Sequence, residues 1–151
     1  MLIRNILEES VRKFDEVKAV KWLKKKEIME RSYGELMENV VSTRKGLLAE
    51  GFEGKHIALI GTSSVEWMES YLGIITGCTT AVPLDAALPC EDLIDLLNRS
   101  DSVALFLSPK LKPYLDAFLE NCPKLQKVWM LQEEVEAVSY THLRAHETLS
   151  D

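Results

Sequence analysis

Long hydrophobic runs and a hydrophobic leader are missing from this sequence of 151 residues. No apolar run approaches the ~20 residues that a helix needs to cross a bilayer. The N-terminus carries the charges of Arg4, Glu8 and Glu9 where a secretory signal would have its apolar core. We therefore expect no membrane span and no export, and a membrane association that is at most peripheral.

Cysteine is also scarce. The three residues, Cys78, Cys90 and Cys122, are odd in number and show no CxxC spacing. This pattern argues against a disulfide framework and a cysteine zinc site, and it is typical of buried thiols in a reducing compartment. The expectation is a soluble, cytoplasmic protein.

Basic residues are fewer than acidic ones: 18 lysines and arginines and 24 aspartates and glutamates give a net charge of -6. A nucleic-acid groove would need clustered basic residues, so no nucleic-acid partner is expected. The single basic run, at residues 24–26, lies between two extended segments. It is predicted to be the solvated tip of a hairpin rather than a binding patch.

The most informative stretch that is present runs from Gly54 to Asp85. A short apolar run, a polar turn, an amphipathic segment and a second extended run follow one another there. Strands joined through a helix in this way lie parallel with a right-handed crossover. The predicted elements are a strand at 56–60, a turn at 61–64, a helix at 65–76 with its stop at Gly77, and a strand at 79–84. The predicted buried face of that helix is Trp67, Met68, Tyr71, Leu72 and Ile75.

Further elements are predicted on both sides of this unit. Before it come a helix from Asn5, a hairpin at 18–23 and 28–32, and a long helix that ends at Gly51. After it come a helix with Pro89 at its first position, a strand at 103–107, a helix from Ser108 to Asn121, and a strand at 127–131. Three helix starts resemble capping boxes: Asn5 with Glu8, Ser32 with Glu35, and Ser63 with Glu66. The order from residue 56 is βαβαβαβ, so the predicted fold is α/β with a mostly parallel, doubly wound sheet.

The polar turn Gly61–Ser64 is the candidate ligand-binding segment of the predicted fold. It joins a strand to a helix N-terminus, where backbone N–H groups favour anions. Its sequence matches neither GxxxxGK[ST] nor GxGxxG, so capping by Ser63 is the favoured interpretation. Asp85 and Asp95 are explained by a turn and a solvated helix face, and His56, at the start of a buried strand, by a structural role. No catalytic, cofactor-binding or metal-binding residue is therefore predicted.

The end of the chain differs in character. Residues 132–136 are acidic, and the eleven residues 138–148 read VSYTHLRAHET. This string resembles the translation of a transposon adapter used in preparing sequencing libraries. The resemblance implies that the natural sequence ends near Ala137 and that residues 132–151 form a disordered, largely non-native tail. His142 and His146, with Glu147 beside them, have a spacing seen in helical metal sites, and we interpret that spacing as an artefact.

Three boxes of residues carry a second resemblance, which covers about residues 3–131. RSYGEL at 31–36 is similar to a [T/S]-Y-x-E-L box, and GKHIAL at 54–59 with TSSVEW at 62–67 is similar to a strand followed by Asn-Ser-x-Glu-Trp. TGCTTAVPLD at 76–85 is similar to an A-G-x-x-x-V-P-L-D/N box. Together, in this order and spacing, they resemble the N-terminal part of adenylate-forming, AMP-binding enzymes. Ser63 stands where the family has asparagine, a small departure.

The resemblance implies an activity for a longer parent protein. Family members convert a carboxylate and ATP to acyl-AMP, and acyl-CoA synthetases then form acyl-CoA, with Mg²⁺. Glu66–Trp67 and the VPLD run are most similar to long-chain fatty acyl-CoA synthetases. The phosphate loop, the acidic nucleotide-binding motifs and the catalytic lysine of the family would lie beyond Leu131. Residues 1–131 are thus expected to be an incomplete, inactive N-terminal part of an AMP-binding domain that binds no cofactor.

Three alternatives remain at this point. The βα order alone also fits a stand-alone flavodoxin-like binding or signalling domain. Within the adenylate-forming group, an aryl-CoA ligase or a peptide-synthetase adenylation domain is also possible. The lack of active-site residues would further suit a non-catalytic interaction module.

Overall fold

A five-stranded sheet with helices on both faces forms the centre of the molecule. The computed structural model describes residues 2–131 and 141–143, the last three as a strand. The helices are α1 (Ile3–Phe14), α2 (Tyr33–Ala49), α3 (Val65–Ile75), α4 (Cys90–Arg99) and α5 (Leu115–Asn121), and a 3₁₀ segment spans Pro109–Tyr114. The strands are β1 (Lys18–Lys24), β2 (Glu27–Ser32), β3 (His56–Ile60), β4 (Thr80–Leu84), β5 (Ser102–Leu107), β6 (Lys127–Met130) and β7 (Thr141–Leu143).

The strand order of the main sheet is β4-β3-β5-β6-β7. The first four strands are parallel, and β7 pairs antiparallel with β6. The predicted α/β class and mostly parallel sheet are confirmed. Strand β5 is buried at all six positions because helices cover both faces of a parallel sheet.

One face of the sheet is covered by α4 and α5, and we call this the α4–α5 layer. Its fully buried side chains include Leu93, Leu97 and Phe118, which pack against Leu105 and Val128 of the sheet. These are the apolar positions that helical spacing predicts. The layer is held by large hydrophobic side chains, each contributing about 1.5–3 kcal/mol when fully buried.

The hairpin β1–β2 is a separate two-stranded sheet with a two-residue turn. Lys25 and Lys26 in that turn have φ values of 49° and 71°. Positive φ at both central residues is the geometry whose twist matches a hairpin, and it usually selects glycine or asparagine. The predicted hairpin and its exposed lysine tip are confirmed.

The predicted N-terminal residues of the helices agree with the structure in some cases and differ in others. The box of Ser32 and Glu35 is confirmed by both hydrogen bonds, at 3.1 and 2.7 Å. Helix α1 begins before Asn5, with Leu2 at the cap and no side-chain cap, so the prediction for Asn5 was wrong. Pro89 is the cap of α4 rather than its first residue.

The helix predicted from Ser108 to Asn121 is divided. Ser108 makes no side-chain cap, and a 3₁₀ segment precedes α5. Pro113 explains the division, because proline has no N–H to donate inside an α-helix and its ring crowds the preceding turn.

The second face of the sheet is covered by α3 with α2 packed on top, and we call this the α2–α3 layer. The predicted buried face of α3 was wrong in part. Its five buried residues are Val65, Glu69, Ser70, Gly73 and Ile74, whereas the predicted Trp67, Met68, Tyr71, Leu72 and Ile75 are half-buried. The reason is that α3 lies between the sheet and α2 and must bury two sides, and Glu69 and Gly73 face α2.

A polar network links the hairpin to this layer. Glu69 is only 4% exposed, and it accepts hydrogen bonds from Arg31 at 3.1 Å and from Asn39 at 3.0 Å. Burial raises the pKa of Glu69, and the hydrogen bond from Asn39 and the charge of Arg31 oppose that shift. Arg31 also lies 5.3 Å from the ring centre of Trp22 in β1. The network therefore joins β1, β2, α2 and α3.

Of the predicted tail at 132–151, the structure describes only Thr141–Leu143, where the sequence predicts no strand. The other tail positions, including His146 and Glu147, lie outside the described residues. The predicted disorder and the proposed artefact at those positions stay predictions.

Candidate functional site

A cleft of about 730 Å³ lies at the carboxyl ends of three neighbouring strands. Segments that follow β3, β4 and β5 line it. The chain leaves β3 toward β4 on one side, and the next crossover carries it to β5 on the other side of β3. The cleft thus lies where the winding direction of the sheet reverses, which is the usual ligand position in open parallel sheets.

The turn after β3 forms the first wall of the cleft. Gly61 is placed so that a Cβ there would lie 3.0 Å from Ser108 Cβ and 3.2 Å from Leu131 Cδ1. Glycine therefore allows the ends of β3, β5 and β6 to approach closely. Thr62 and Ser63 follow on the exposed rim.

The cap of α3 is one residue later than predicted. Ser64, not Ser63, accepts a hydrogen bond from the Trp67 backbone N–H at 3.0 Å. Glu66 is consequently at the second helical position, and the predicted capping box with Ser63 was wrong. Because Ser64 is the cap, Ser63 lies in the cleft wall instead.

The segment after β4 forms the second wall. One oxygen of Asp85 accepts a hydrogen bond from the Ala87 backbone N–H at 2.9 Å, so Asp85 has the predicted turn role and also lines the cleft. Asp95 lies elsewhere, on the exposed side of α4, where it pairs with Arg99 at 2.9 Å.

The third wall follows β5 and consists of Ser108 and the 3₁₀ segment. Among the described residues that line the cleft, Lys110 is the only basic one and Asp85 the only acidic one. Leu111, Pro113 and Tyr114 add apolar surface. Across the cleft, Trp67 is stacked on Tyr71 with ring centres 5.3 Å apart, which fixes the orientation of the indole.

The residues that line the cleft are better suited to binding a small molecule than to catalysing a reaction. They combine apolar and aromatic surface with a few hydroxyl groups and one charge of each sign, the usual composition of a small-molecule site. Within the described residues, no group of three or more His, Cys, Asp or Glu side chains could hold a metal ion. His56 lies at the other end of β3, and its Nδ1 is 2.7 Å from the Ser100 carbonyl oxygen.

Sequence reasoning noticed the turn at 61–64 but missed its partners at 108–114. One signal was present in the sequence. The end of each predicted parallel strand was followed by polar or turn residues, and such ends meet at one edge of a sheet. A second groove, of about 860 Å³, lies between α1 and α2, and its charged lining residues are Asp15, Glu16, Lys18, Glu35, Glu38 and Lys45. Its position on the outside of the helices makes it the weaker candidate.

None of the helices among the described residues has the length and apolar character that a bilayer crossing requires. The three cysteines, all in the described part of the chain, form no disulfide. Only Cys122 is buried, so the expectation of buried thiols was wrong for exposed Cys78 and half-buried Cys90.

Comparison with known proteins gives two positive findings. A family described as "AMP-binding enzyme" matches residues 7–149. Solved structures match in fold, including the anthranilate CoA ligase AuaEII in complex with anthranoyl-AMP, with 18% identity and a TM-score of 0.74 over 86% of this chain. The N-terminal domain of FACL13 from Mycobacterium tuberculosis matches with 14% identity and a TM-score of 0.76 over 95% of this chain.

A third structural match is the coronafacic acid ligase from Pectobacterium brasiliense, with 20% identity and a TM-score of 0.77 over 91% of this chain. At these identities the structures show the fold alone. The chain spans 25%, 43% and 27% of the three matched chains, in the order given. No curated protein sequence matches it.

Proposed function

The chain belongs to the AMP-binding enzyme family, and we propose that it is the N-terminal part of an ATP-dependent acid–CoA ligase. In the proposed reaction, a carboxylic acid and ATP form acyl-AMP, and coenzyme A then displaces AMP to give acyl-CoA. The family match over residues 7–149 is the observation that supports this proposal most strongly. The three sequence boxes between residues 31 and 85 support it independently of the fold.

For the acid, we propose a long-chain fatty acid. The support is the similarity of Glu66–Trp67 and of the VPLD run at 82–85 to long-chain fatty acyl-CoA synthetases. The alternatives are an aromatic acid, as in an aryl-CoA ligase, and an amino acid, as in a peptide-synthetase adenylation domain. A stand-alone flavodoxin-like domain has the β4-β3-β5-β6 strand order in its favour but leaves the family match and the preceding hairpin and α2 unexplained.

The described residues do not fit a complete site for ATP and Mg²⁺. The cleft offers one lysine, Lys110, against the several charges of a triphosphate, and its turn at 61–64 is not a phosphate loop. We therefore propose that ATP, Mg²⁺ and coenzyme A bind the longer parent protein and that residues 1–131 alone are inactive. No step of the reaction is assigned to this chain, and its proposed part is to supply scaffold and the cleft at the ends of β3, β4 and β5.

Residues 138–148 are proposed to be non-native, as their resemblance to an adapter implies. The family match includes these positions, so only the gene itself can test the proposal. Sequencing genomic DNA through the codon of Ala137 should give a different downstream sequence that encodes a phosphate loop rich in Ser, Thr and Gly with a lysine. A genomic sequence that continues as VSYTHLRAHET would contradict it.

The acid is tested with the parent protein encoded by that gene. Purified parent is incubated with ATP, Mg²⁺, coenzyme A and, separately, fatty acids of increasing length, benzoate and anthranilate, and amino acids. We expect thioester formation with fatty acids and little with the aromatic or amino acids. Preference for an aromatic acid would leave the ligase proposal intact and overturn the fatty-acid assignment. Amino acid activation without thioester formation would favour the adenylation domain.

We also propose a cytoplasmic location and no nucleic-acid partner. The three cysteines, which form no disulfide, support the cytoplasmic location. The net charge of -6 supports the absence of a nucleic-acid partner. Imaging of the tagged parent in intact cells would check the first statement.

A further inference from the structure

The β1–β2 hairpin ends in three lysines beside two exposed aliphatic side chains. We call this part of the hairpin, residues 23–28, the hairpin tip. Leu23 and Ile28 are paired across the two strands, so their side chains lie next to each other on one face. They are 71% and 68% exposed, and together they form a small apolar surface at the base of the turn.

The opposite face of the hairpin is attached to the rest of the molecule. Successive side chains of a strand lie on opposite faces, so Trp22 and Leu23 are on different sides of β1. Arg31 lies 5.3 Å from the ring centre of Trp22 and donates a hydrogen bond to Glu69 at 3.1 Å. The hairpin is therefore held through one face and presents Leu23 and Ile28 on the other.

Positive charge is concentrated at the hairpin tip. Residues 21–30 contain four lysines and two glutamates, a net charge of +2, whereas the whole chain carries -6. Lys21 and Glu30 form an ion pair at 3.5 Å, farther from the turn. Within the part of the chain that the structure describes, the lysines at 24–26 have no ion-pair partner. Their charges are thus directed to a partner outside these residues or to water.

The residues of the turn are unusual for its backbone geometry. Lys25 and Lys26 have φ values of 49° and 71°, in the left-handed region that side chains with a Cβ disfavour. Asn-Gly would form the same turn at a smaller conformational cost. Local folding therefore does not explain two lysines here, and disfavoured backbone conformations of this kind often accompany function.

A tip that contacts only water explains the lysines, and the sequence alone favours that interpretation. It does not explain the aliphatic pair beside them or the choice of lysine at both left-handed positions. An anionic lipid surface explains all three features. Aliphatic side chains can enter the headgroup region, while lysine stems extend along apolar surface and place their ammonium groups among lipid phosphates. An acidic protein segment would match the lysines but would leave Leu23 and Ile28 against charged groups.

We propose that the hairpin tip docks on membranes that contain anionic phospholipid. Leu23 and Ile28 insert shallowly between the headgroups, and the lysines at 24–26 contact the lipid phosphates. The association is peripheral and reversible, because two aliphatic side chains and a few charges are far less than a membrane span provides. The proposal does not depend on the proposed ligase function, since docking requires no catalysis.

Vesicle flotation tests the proposal on the whole chain. The chain is mixed with vesicles of phosphatidylcholine alone, or of phosphatidylcholine with an equal amount of phosphatidylglycerol, and centrifuged under a sucrose gradient. Bound protein floats with the vesicles, whereas aggregated protein sinks. We expect flotation with the anionic vesicles only, and we expect it to weaken as sodium chloride is added, because salt screens exposed charges.

A charge variant separates docking from folding. Lys25→Asn combined with Lys26→Gly supplies the preferred turn residues, so resistance to urea should rise. Binding to anionic vesicles should fall by about fivefold for each lysine, roughly 25-fold in all, and should depend less on salt. Lys45→Gln combined with Lys55→Gln removes an equal charge from exposed positions outside the hairpin and should bind nearly as well as the wild type.

An apolar variant tests the second part of the surface. Leu23→Thr combined with Ile28→Thr keeps residues that suit a strand. It should lower binding at every salt concentration and leave the salt dependence unchanged.

Four results would overturn the proposal. The first two are failure of the chain to float and equal flotation with neutral and anionic vesicles. The third is unchanged binding of the charge variant despite its greater stability, which would make the tip purely structural. The fourth is a parent protein that does not float under conditions where the chain does, because the rest of the parent would then cover this surface.

Discussion

The two faces of the sheet are covered in different ways. The α4–α5 layer uses large apolar side chains such as Leu93, Leu97 and Phe118, all at most 1% exposed. The α2–α3 layer uses a short interhelical approach at Gly73 and a buried carboxylate, Glu69. The first layer is stabilised mainly by the area removed from water. In the second, a buried charge must also be matched by hydrogen bonds.

The comparison explains why the α2–α3 layer is more constrained by residue identity. A Cβ at Gly73 would lie 2.5 Å from Thr43 Cβ and 3.0 Å from the Val40 carbonyl oxygen. Glu69 loses its hydration and receives Arg31 and Asn39 in exchange. Apolar side chains of similar volume can often replace one another, whereas a buried charge cannot lose one partner without cost.

The largest effect is expected in the α4–α5 layer. Phe118→Ala should reduce the free energy of unfolding by about 3–5 kcal/mol, because it deletes a fully buried ring and leaves a cavity. Urea unfolding followed by tryptophan fluorescence measures the change. Leu111→Ala, at a half-buried position against the same layer, should cost clearly less. A loss for Phe118→Ala no larger than that of Leu111→Ala would show that this layer is not the main apolar core.

The second effect concerns the buried carboxylate. Glu69→Ala should cost about 2–4 kcal/mol in the same measurement, since it leaves Arg31 and Asn39 without their acceptor while Arg31 keeps partial access to water. Glu69→Gln retains an acceptor and a similar volume, so it should recover much of that loss. Equal destabilisation by Ala and Gln would mean that charge, not hydrogen bonding, determines the contribution of Glu69.

The third effect tests the close helix approach. Gly73→Ala should destabilise the chain by about 1–3 kcal/mol because the added methyl group overlaps Thr43. Gly46→Ala is the matched control, because it lies inside α2. Among the described residues, no atom outside its chain neighbours and the nearby backbone of α2 comes within 4 Å of the added carbon. That change should stabilise by about 0.5–1 kcal/mol, the usual advantage of alanine over glycine in a helix. A stabilising Gly73→Ala would contradict the described packing of α2 on α3.

The smallest effect is a pH dependence specific to the α2–α3 layer. Burial raises the pKa of Glu69 above its ordinary value of 4.5, so the folded state holds the proton more tightly than the unfolded state. Ionisation of Glu69 therefore costs stability as the pH rises from 4.5 through the folded pKa. Relative to Glu69→Gln, the wild type should become more stable on acidification from neutral pH toward 4.5. Parallel stability curves for the two proteins would show that the partners of Glu69 fully offset its burial.

Sequence patterns predicted the elements of the sheet and of the α4–α5 layer because their signal is apolar periodicity. Strand β5 is an unbroken apolar run, and Leu93 and Leu97 are one helical turn apart. The α2–α3 layer does not follow that signal, since α3 buries one side on the sheet and another on α2. A polar residue such as Glu69 is assigned to solvent by periodicity unless its partners, 30 and 38 positions away, are known.

The strand-end cleft was predictable in position but not in composition. The turn at 61–64 follows a parallel strand, so its place at the carboxyl edge follows from topology. The contributions of Lys110 and Tyr114 depend on the 3₁₀ segment that Pro113 imposes, where the sequence predicts one continuous helix. Ser64 and Ser63 are adjacent and chemically identical, and only the backbone geometry decides which of them caps α3.

The most direct test of the central claim is ATP–pyrophosphate exchange, measured with a fatty acid on two proteins side by side. One is the chain of 151 residues, and the other is the parent protein encoded by the complete gene. We predict no exchange above background for the chain and acid-dependent exchange for the parent. Exchange catalysed by the chain alone, or a parent that exchanges with no carboxylic acid, would contradict the account.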